Sequence, residues 1–90
     1  MTRREIVFDC GDVLTPEVAV RLVRLSEHYG TELFLECGGK RVRLDSLIGI
    51  LALDCPRGTR VTVLAADGGE AAALATAKLL EGREQRRAPS

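Results

Sequence analysis

Residues 32–44 read Glu32-Leu33-Phe34-Leu35-Glu36-Cys37-Gly38-Gly39-Lys40-Arg41-Val42-Arg43-Leu44 and predict a β-hairpin. Apolar and polar side chains alternate before the two glycines, which is typical of a strand with one face in a core. Gly38 and Gly39 tolerate the positive φ angles that a two-residue hairpin turn requires. The returning strand places Val42 and Leu44 on the core face. The hairpin therefore indicates that this part of the sheet is antiparallel.

The chain on either side of the hairpin supplies two more strands and three helices. Thr15 has a side chain that can cap a helix, Pro16 suits the first helical position, and Gly30 ends that helix. Asp45 and Ser46 can cap a second, short helix that is rich in aliphatic residues. We predict strands at residues 4–9, 32–37, 40–44 and 60–66, and helices at residues 15–30, 47–53 and 70–81.

This order of elements favours an α+β fold. Strand, helix, strand, strand, helix, strand, helix, with a hairpin in the middle, is typical of an open-faced β-sandwich. We predict a four-stranded antiparallel sheet that is covered on one face by three helices. The 90 residues suffice for one small domain. We assign residues 1–82 to this domain and residues 83–90 to a flexible polar tail.

The composition excludes several classes of protein. The chain is 46% apolar and 29% charged, with a formal net charge of zero. These values exclude a disordered chain and a strongly basic nucleic-acid binder, so we expect no direct contact with nucleic acid. No apolar run reaches the about 18 residues that span a bilayer, and the N-terminus lacks the apolar stretch of a signal peptide. We therefore expect a cytoplasmic protein without membrane contact.

The sequence also lacks the motifs of catalytic and metal sites. Its three cysteines form no CxxC pair and it has one histidine, so neither a disulfide framework nor a structural zinc site is indicated. His28 lies on the polar side of its helix without an obvious relay partner. Neither glycine pair belongs to a Walker-type phosphate-binding loop. We therefore expect a protein that is not an enzyme and that uses no metal and no cofactor.

A family resemblance extends over most of the chain, from Glu5 to Glu81. Residues 38–53 contain, in this order, the hairpin turn with its returning strand, a serine followed by an aliphatic pair, a glycine followed by a second aliphatic pair, and Ala-Leu. Arg57-Gly58-Thr59 precedes the fourth strand, and Asp67-Gly68 precedes an alanine-rich final helix. In these features the chain resembles HPr, the histidine-containing phosphocarrier of the bacterial sugar phosphotransferase system (PTS). The resemblance independently implies the open-faced β-sandwich.

The chain departs from that family at the phosphate-accepting loop. The family's loop reads Gly-Leu/Ile-His-Ala/Thr-Arg-Pro, whereas residues 13–18 read Val-Leu-Thr-Pro-Glu-Val. Thr15 takes the position of the histidine that receives phosphate from enzyme I, and Glu17 takes that of the arginine. A threonine hydroxyl is a poor nucleophile without a base, and a carboxylate repels phosphate. The comparison therefore predicts that histidine phosphocarrier activity has been lost and that no catalytic residue stands here.

Ser46 stands where Gram-positive HPr proteins carry a regulatory serine, which HPr kinase/phosphorylase phosphorylates. The catabolite-repression paralogue of HPr lacks the histidine, keeps this serine and acts as a corepressor for a LacI-type regulator. By resemblance, we expect a regulatory module that is switched by Ser46. Its expected partner is HPr kinase/phosphorylase, a LacI-type transcription regulator or a metabolic enzyme. Asp45 replaces the family's usual lysine, which opposes this role, and a plain helix cap is the alternative role of Ser46.

An apolar patch on two helices is the second candidate site. In the resembling fold the first two helices lie side by side and form the surface on which partners dock. Large aliphatic side chains that remain exposed on such a surface commonly mark an interface. Contact between copies of the chain and ordinary scattered apolar surface are the alternatives. The predicted patch consists of Val20, Leu47, Ile48 and Leu51, with Arg24 and Glu27 at its rim.

Two other functions remain open from the sequence. The first is phosphotransfer through another acceptor such as Cys10, which precedes the loop that holds Thr15. The second is a structural or oligomerisation domain in which the strand containing Ile6-Val7-Phe8 is exchanged about a hinge at Gly11-Asp12. We expect a monomer or a weak homodimer.

Overall fold

The computed structural model describes residues 1–82, and these residues form four strands and three helices. The predicted order of elements is confirmed. The tail that we predicted at residues 83–90 lies outside the described residues. The elements are β1 (Thr2–Val7), α1 (Pro16–Tyr29), β2 (Leu33–Cys37), β3 (Lys40–Arg43), α2 (Leu47–Leu51), β4 (Arg60–Ala65) and α3 (Glu70–Leu80).

The four strands form one antiparallel sheet in the order β1-β4-β2-β3. The inner strand β4 pairs Val61 with Ile6 of β1, and Val63 with Leu35 of β2. α3 packs against β1 and β4, α2 packs against β3, and α1 packs against both other helices. The predicted antiparallel sheet with three helices on one face is therefore confirmed.

The hairpin closes at the glycine pair, as the alternation of residues 32–44 predicts. Cys37 pairs with Lys40, and the two residues between them have φ angles of 60° at Gly38 and 81° at Gly39. Positive φ at both central positions gives the type I′ turn, whose twist matches that of the flanking strands. Because the turn fixes the register, alternate residues of β2 point into the core.

The hydrophobic core lies between the sheet and the helices. β4 is also shielded on the opposite, open face, where Leu64 is flanked by Arg3 of β1 and Phe34 of β2 and is only 3% exposed. The open face therefore offers little apolar surface at its centre. The largest fully buried side chains are Phe8, Leu22, Leu35, Leu44, Ile50, Val61, Val63, Leu79 and Leu80.

Three details differ from the sequence predictions. β1 ends at Val7 because the next residues bond to other elements: Phe8 N donates to Thr59 O at 2.9 Å, and the following amide bonds to the end of α3. α2 ends at Leu51, after which the chain closes a tight turn. Helical spacing places Tyr29 on the apolar side of α1, but it lies in the last turn and is 40% exposed.

Candidate functional site

The N-terminus of α1 is built by local capping. Thr15 Oγ accepts a hydrogen bond from Val18 N at 3.3 Å, and Pro16 occupies the first helical position. At the other end, Gly30 has a φ of 62° and donates its N–H to Ser26 O at 3.0 Å. The Thr15 hydroxyl oxygen therefore caps the first turn of α1.

A surface cleft lies beside Thr15. It brings together Thr15 and Cys10, the alternative acceptor, which is partly buried. Val20, which we predicted to be exposed, is half-buried because it forms part of the wall of this cleft. The residues lining the cleft are Cys10, Thr15, Glu17, Val18, Val20, Arg21 and Arg24.

Arg57 ties the loop before α1 to the loop before β4. Its Nε lies 3.2 Å from Asp9 Oδ1 and its Nη1 lies 3.5 Å from Asp12 Oδ1. The backbone reinforces this link, because Arg57 N donates to Asp12 O and Gly58 N donates to Phe8 O, both at 2.8 Å. Sequence reasoning missed this role, since the partners are more than forty positions away along the chain.

Ser46 begins α2, as predicted. Its Oγ accepts a hydrogen bond from Gly49 N at 3.1 Å, and the residue is exposed. A side chain at position 49 would crowd this contact, since a Cβ there would lie 3.0 Å from Ser46 Oγ. The Ser46 hydroxyl accepts in this bond, so its own hydrogen is not used by the cap.

Asp45 is paired with Arg43. Arg43 Nε donates to Asp45 Oδ1 at 3.2 Å and Nη2 donates to Oδ2 at 3.1 Å. Its third nitrogen, Nη1, donates to Glu32 Oε2 at 3.2 Å. The hydrogen bonds and charge of Asp45, with a smaller contribution from Glu32, raise the pKa of the Arg43 guanidinium. The carboxylate beside Ser46 is therefore partly neutralised.

α2 exposes most of its aliphatic side chains. Ile48 is 82% exposed, Leu51 44% and Leu47 39%, whereas Ile50 is completely buried. A helix this short can turn only one side toward the core. The structure thus places three of the four predicted patch residues on one short helix. Val20 and Arg24 lie on the adjacent α1, where both line the Thr15 cleft.

Residues 1–82 contain neither a metal-ligand cluster nor a membrane-spanning helix. No three His, Cys, Asp or Glu side chains in this part of the chain come together in a way that could hold a metal ion. Its helices also lack the length and apolarity needed to cross a membrane. His28 is exposed and contacts the ring of Tyr29 edge-on, with the ring centroids 5.0 Å apart.

Most of the chain matches one known protein family. Residues 4–81 match the family model PTS-HPr, described as the PTS HPr component phosphorylation site. The chain belongs to the HPr family of the phosphotransferase system. The resemblance identified from the sequence is confirmed.

Solved structures of HPr proteins share this fold. HPr-C-His from Thermoanaerobacter tengcongensis is 22% identical, with a TM-score of 0.81 over 98% of this chain and 100% of that one. The phosphocarrier protein HPr from Bacillus anthracis is also 22% identical, with a TM-score of 0.78 over 88% of this chain and 95% of that one. Crh, the catabolite repression protein of Bacillus subtilis, is 26% identical, with a TM-score of 0.69 over 92% and 97%. The Crh crystal structure is a dimer with a swapped domain.

Proposed function

We propose that this chain is a non-enzymatic HPr-family module that no longer carries phosphate at the family's histidine position and that docks or regulates partner proteins through α2. Phosphorylation of Ser46 is the proposed switch. The observation that carries the proposal is the 82% exposure of Ile48, two residues after the exposed Ser46. Ile48 is grouped with the exposed Leu47 and Leu51, and a contiguous exposed apolar patch commonly marks an interface. A phosphate on the neighbouring hydroxyl would change the charge beside that patch.

The residues at the former acceptor position support the loss of phosphocarrying. Thr15 offers a hydroxyl that caps α1 through Val18 N, and it has no imidazole to form a readily transferred phosphoramidate. Glu17, in the same cleft, places a carboxylate where a phosphate would need a cation. The nucleophile and the phosphate-holding group are therefore both replaced.

Ser46 is suited to accept a phosphate. Its hydroxyl is accessible, and its contact with Gly49 N uses an oxygen lone pair while the hydroxyl hydrogen remains available. Arg43 offsets the disadvantage that we expected from Asp45, because its guanidinium holds that carboxylate through two hydrogen bonds. A phosphoryl group at Ser46 would put about two negative charges next to the exposed α2 side chains. Such a change can alter which partners α2 accepts.

The docking surface extends from α2 toward α1. Leu47, Ile48 and Leu51 supply its apolar part, and Val20 with Arg24 supplies a half-buried edge beside the Thr15 cleft. A partner that covers it needs an apolar pocket for Ile48 and an acidic group for the exposed Arg24.

The proposed partners are cytoplasmic proteins. HPr kinase/phosphorylase is the partner that would phosphorylate Ser46. A LacI-type transcription regulator or a metabolic enzyme is the partner that would read the result, which would place the chain in carbon catabolite regulation. The likeness to Crh, whose name refers to catabolite repression, supports this assignment.

A kinetic experiment with HPr kinase/phosphorylase and ATP tests the docking surface. Ile48→Asp should slow phosphorylation of Ser46 by about tenfold or more, because a charge replaces a side chain that belongs in an apolar pocket. Leu74→Asp is the matched control: Leu74 is 39% exposed on α3 and should leave the rate unchanged. Equal rates for both variants, with unchanged circular dichroism spectra, would overturn the docking role of α2.

A second candidate function is self-association through exchange of β1. It is favoured by the swapped-domain dimer of Crh and by the position of β1 at the sheet edge, where among residues 1–82 it pairs with β4 alone. Exchange would have to break the ion pairs of the Arg57 side chain with Asp9 and Asp12, together with the backbone hydrogen bonds by which residues 57 and 58 hold residues 8–12. Light scattering during size-exclusion chromatography distinguishes the candidates, since Arg57→Ala should increase any exchanged dimer and leave a monomeric docking module monomeric.

A further inference from the structure

Two buried cysteines lie where the end of β2 contacts the loop after α2. Cys37 ends β2 and is 6% exposed, and Cys55 lies in the loop between α2 and β4 and is 2% exposed. The Cys37 thiol donates to the backbone oxygen of Asp54, the residue just before Cys55, with an Sγ–O distance of 3.7 Å. The docking surface and the cleft near Thr15 use neither thiol.

The Cys55 thiol is affected by its burial and by the neighbouring Cys37 thiol. Burial, followed by the charge and the hydrogen bond of the Cys37 thiol and then the charge of Asp54, raises the pKa of Cys55 to about 12. Since the Cys37 thiol contacts the peptide oxygen of Asp54, the residue bonded to Cys55, the two buried side chains are neighbours. Among residues 1–82 no disulfide joins any of the three cysteines, so the pair is present as dithiol.

We propose that Cys37 and Cys55 form a redox pair, which peroxide converts into a disulfide between the end of β2 and the loop that follows α2. The Cys37 sulfur, the more exposed of the two, attacks a peroxide oxygen as thiolate, and the O–O bond breaks to release hydroxide and leave a sulfenic acid. The second sulfur, as it loses its proton, displaces that oxygen as water and forms the S–S bond. Altogether two thiols and one hydrogen peroxide give one disulfide and two waters.

The disulfide would enclose the most exposed functional elements. The chain between Cys37 and Cys55 contains the hairpin turn, β3, Ser46 and α2. A cross-link across this segment restricts how far it can open from the core. Oxidation would therefore hold α2 in its packed position, whereas the dithiol places no covalent limit on this segment. Because both thiols are buried, the reaction should be slower than that of an exposed thiol.

Peroxide oxidation of the folded Cys10→Ser variant tests the proposal, because this variant retains only the two cysteines of the pair. The thiol count should fall from two to zero, and the intact mass should fall by two hydrogens. Trypsin under non-reducing conditions should then release residues 25–40 linked to residues 44–57, the tryptic peptides that contain Cys37 and Cys55. Hydrogen exchange at the α2 amides should slow after oxidation and recover after reduction.

The control variants are Cys37→Ala and Cys55→Ala, each in the Cys10→Ser background. Both should keep a monomeric mass without the linked peptides, and a matching circular dichroism spectrum shows that they fold. Addition of one or more oxygens without the linked peptides, formation of dimers linked between chains, or two unreacted thiols in excess peroxide would each overturn the proposal.

Discussion

Arg43 holds Asp45 in a two-pronged ion pair, with Nε–Oδ1 and Nη2–Oδ2 distances of 3.2 and 3.1 Å. Asp45 directly precedes Ser46, so in the proposed function this pair sets the charge beside the phosphorylated hydroxyl. The pair is exposed and its contribution to folding stability is small. Its proposed role is to offset a carboxylate that would otherwise oppose phosphorylation of Ser46.

The first prediction concerns this ion pair. Arg43→Ala should lower the rate at which HPr kinase/phosphorylase modifies Ser46 by on the order of fivefold, the effect of one uncompensated charge near the surface. Asp45→Asn should raise the rate by a similar factor. Arg41→Ala is the control. Both arginines lie over the Phe34 ring, but Arg41 pairs with Glu36 instead of Asp45. Equal rates for Arg43→Ala and Arg41→Ala would show that Arg43 has no specific effect on phosphorylation of Ser46.

The second prediction concerns the former acceptor position. The double variant Thr15→His, Glu17→Arg should accept acid-labile phosphate from enzyme I, because it regains both a nucleophilic imidazole and a cation for the phosphate. Thr15→His alone should react about tenfold more slowly, since Glu17 still repels phosphate. Phosphate incorporation followed by acid treatment measures both. Equal rates for the single and double variants would mean that Glu17 does not block the site.

The third prediction separates the two threonines that make side-chain hydrogen bonds near helix starts. Thr15→Ala should lower the free energy of unfolding by about 1 kcal/mol, because the N–H of Val18 loses its capping oxygen. Thr2→Ala should change it by less than about 0.5 kcal/mol, since its contact with Glu70 is exposed. Urea unfolding followed by circular dichroism measures both. An equal loss in the two variants would contradict the capping role.

The fourth prediction concerns stability at high pH. The pKa of Cys55 is about 12 in the folded chain against 9.0 in the absence of burial, so the unfolded chain gives up its proton first. The contribution of Cys55 to stability is therefore complete below pH 9 and is lost as the pH rises toward 12, with a slope of up to about 1.4 kcal/mol per pH unit. Unfolding midpoints in urea between pH 8 and 11 measure it.

The difference between two variants isolates this effect from other groups that titrate at high pH. Cys55→Ala should flatten the pH dependence relative to the wild type, whereas Val61→Ala, which also truncates a buried side chain but removes no titratable group, should leave it unchanged. A Cys55→Ala profile parallel to that of the wild type would show that the Cys55 thiol does not titrate in this way.

The local features were predictable because short-range physics decides them. The glycine pair 38–39 predicts its turn, and the Thr15 and Ser46 oxygens predict their helix caps, from neighbouring residues alone. The half-burial of Val20 was not predictable, because a helical wheel does not show that the cleft beside Thr15 forms around it. The contact of Cys37 with the backbone of Asp54, beside Cys55, was not predictable either, because it forms only when the end of β2 packs against the loop after α2.

The candidate site was predicted by a different route. The residues alone indicated an open-faced sandwich and exposed aliphatic side chains. The family resemblance joined those side chains into one patch and assigned Thr15 and Ser46 their positions. The linking role of Arg57 could not be predicted, because nothing in the sequence places Asp9 and Asp12 beside this loop arginine.

The most direct test of the central claim is the intact mass of the chain after two separate reactions. We predict a gain of one phosphate, roughly 80 Da, with HPr kinase/phosphorylase and ATP, and its absence in Ser46→Ala. We predict no gain with enzyme I and phosphoenolpyruvate. Phosphate gained from enzyme I, or a kinase product that persists in Ser46→Ala, would contradict the account.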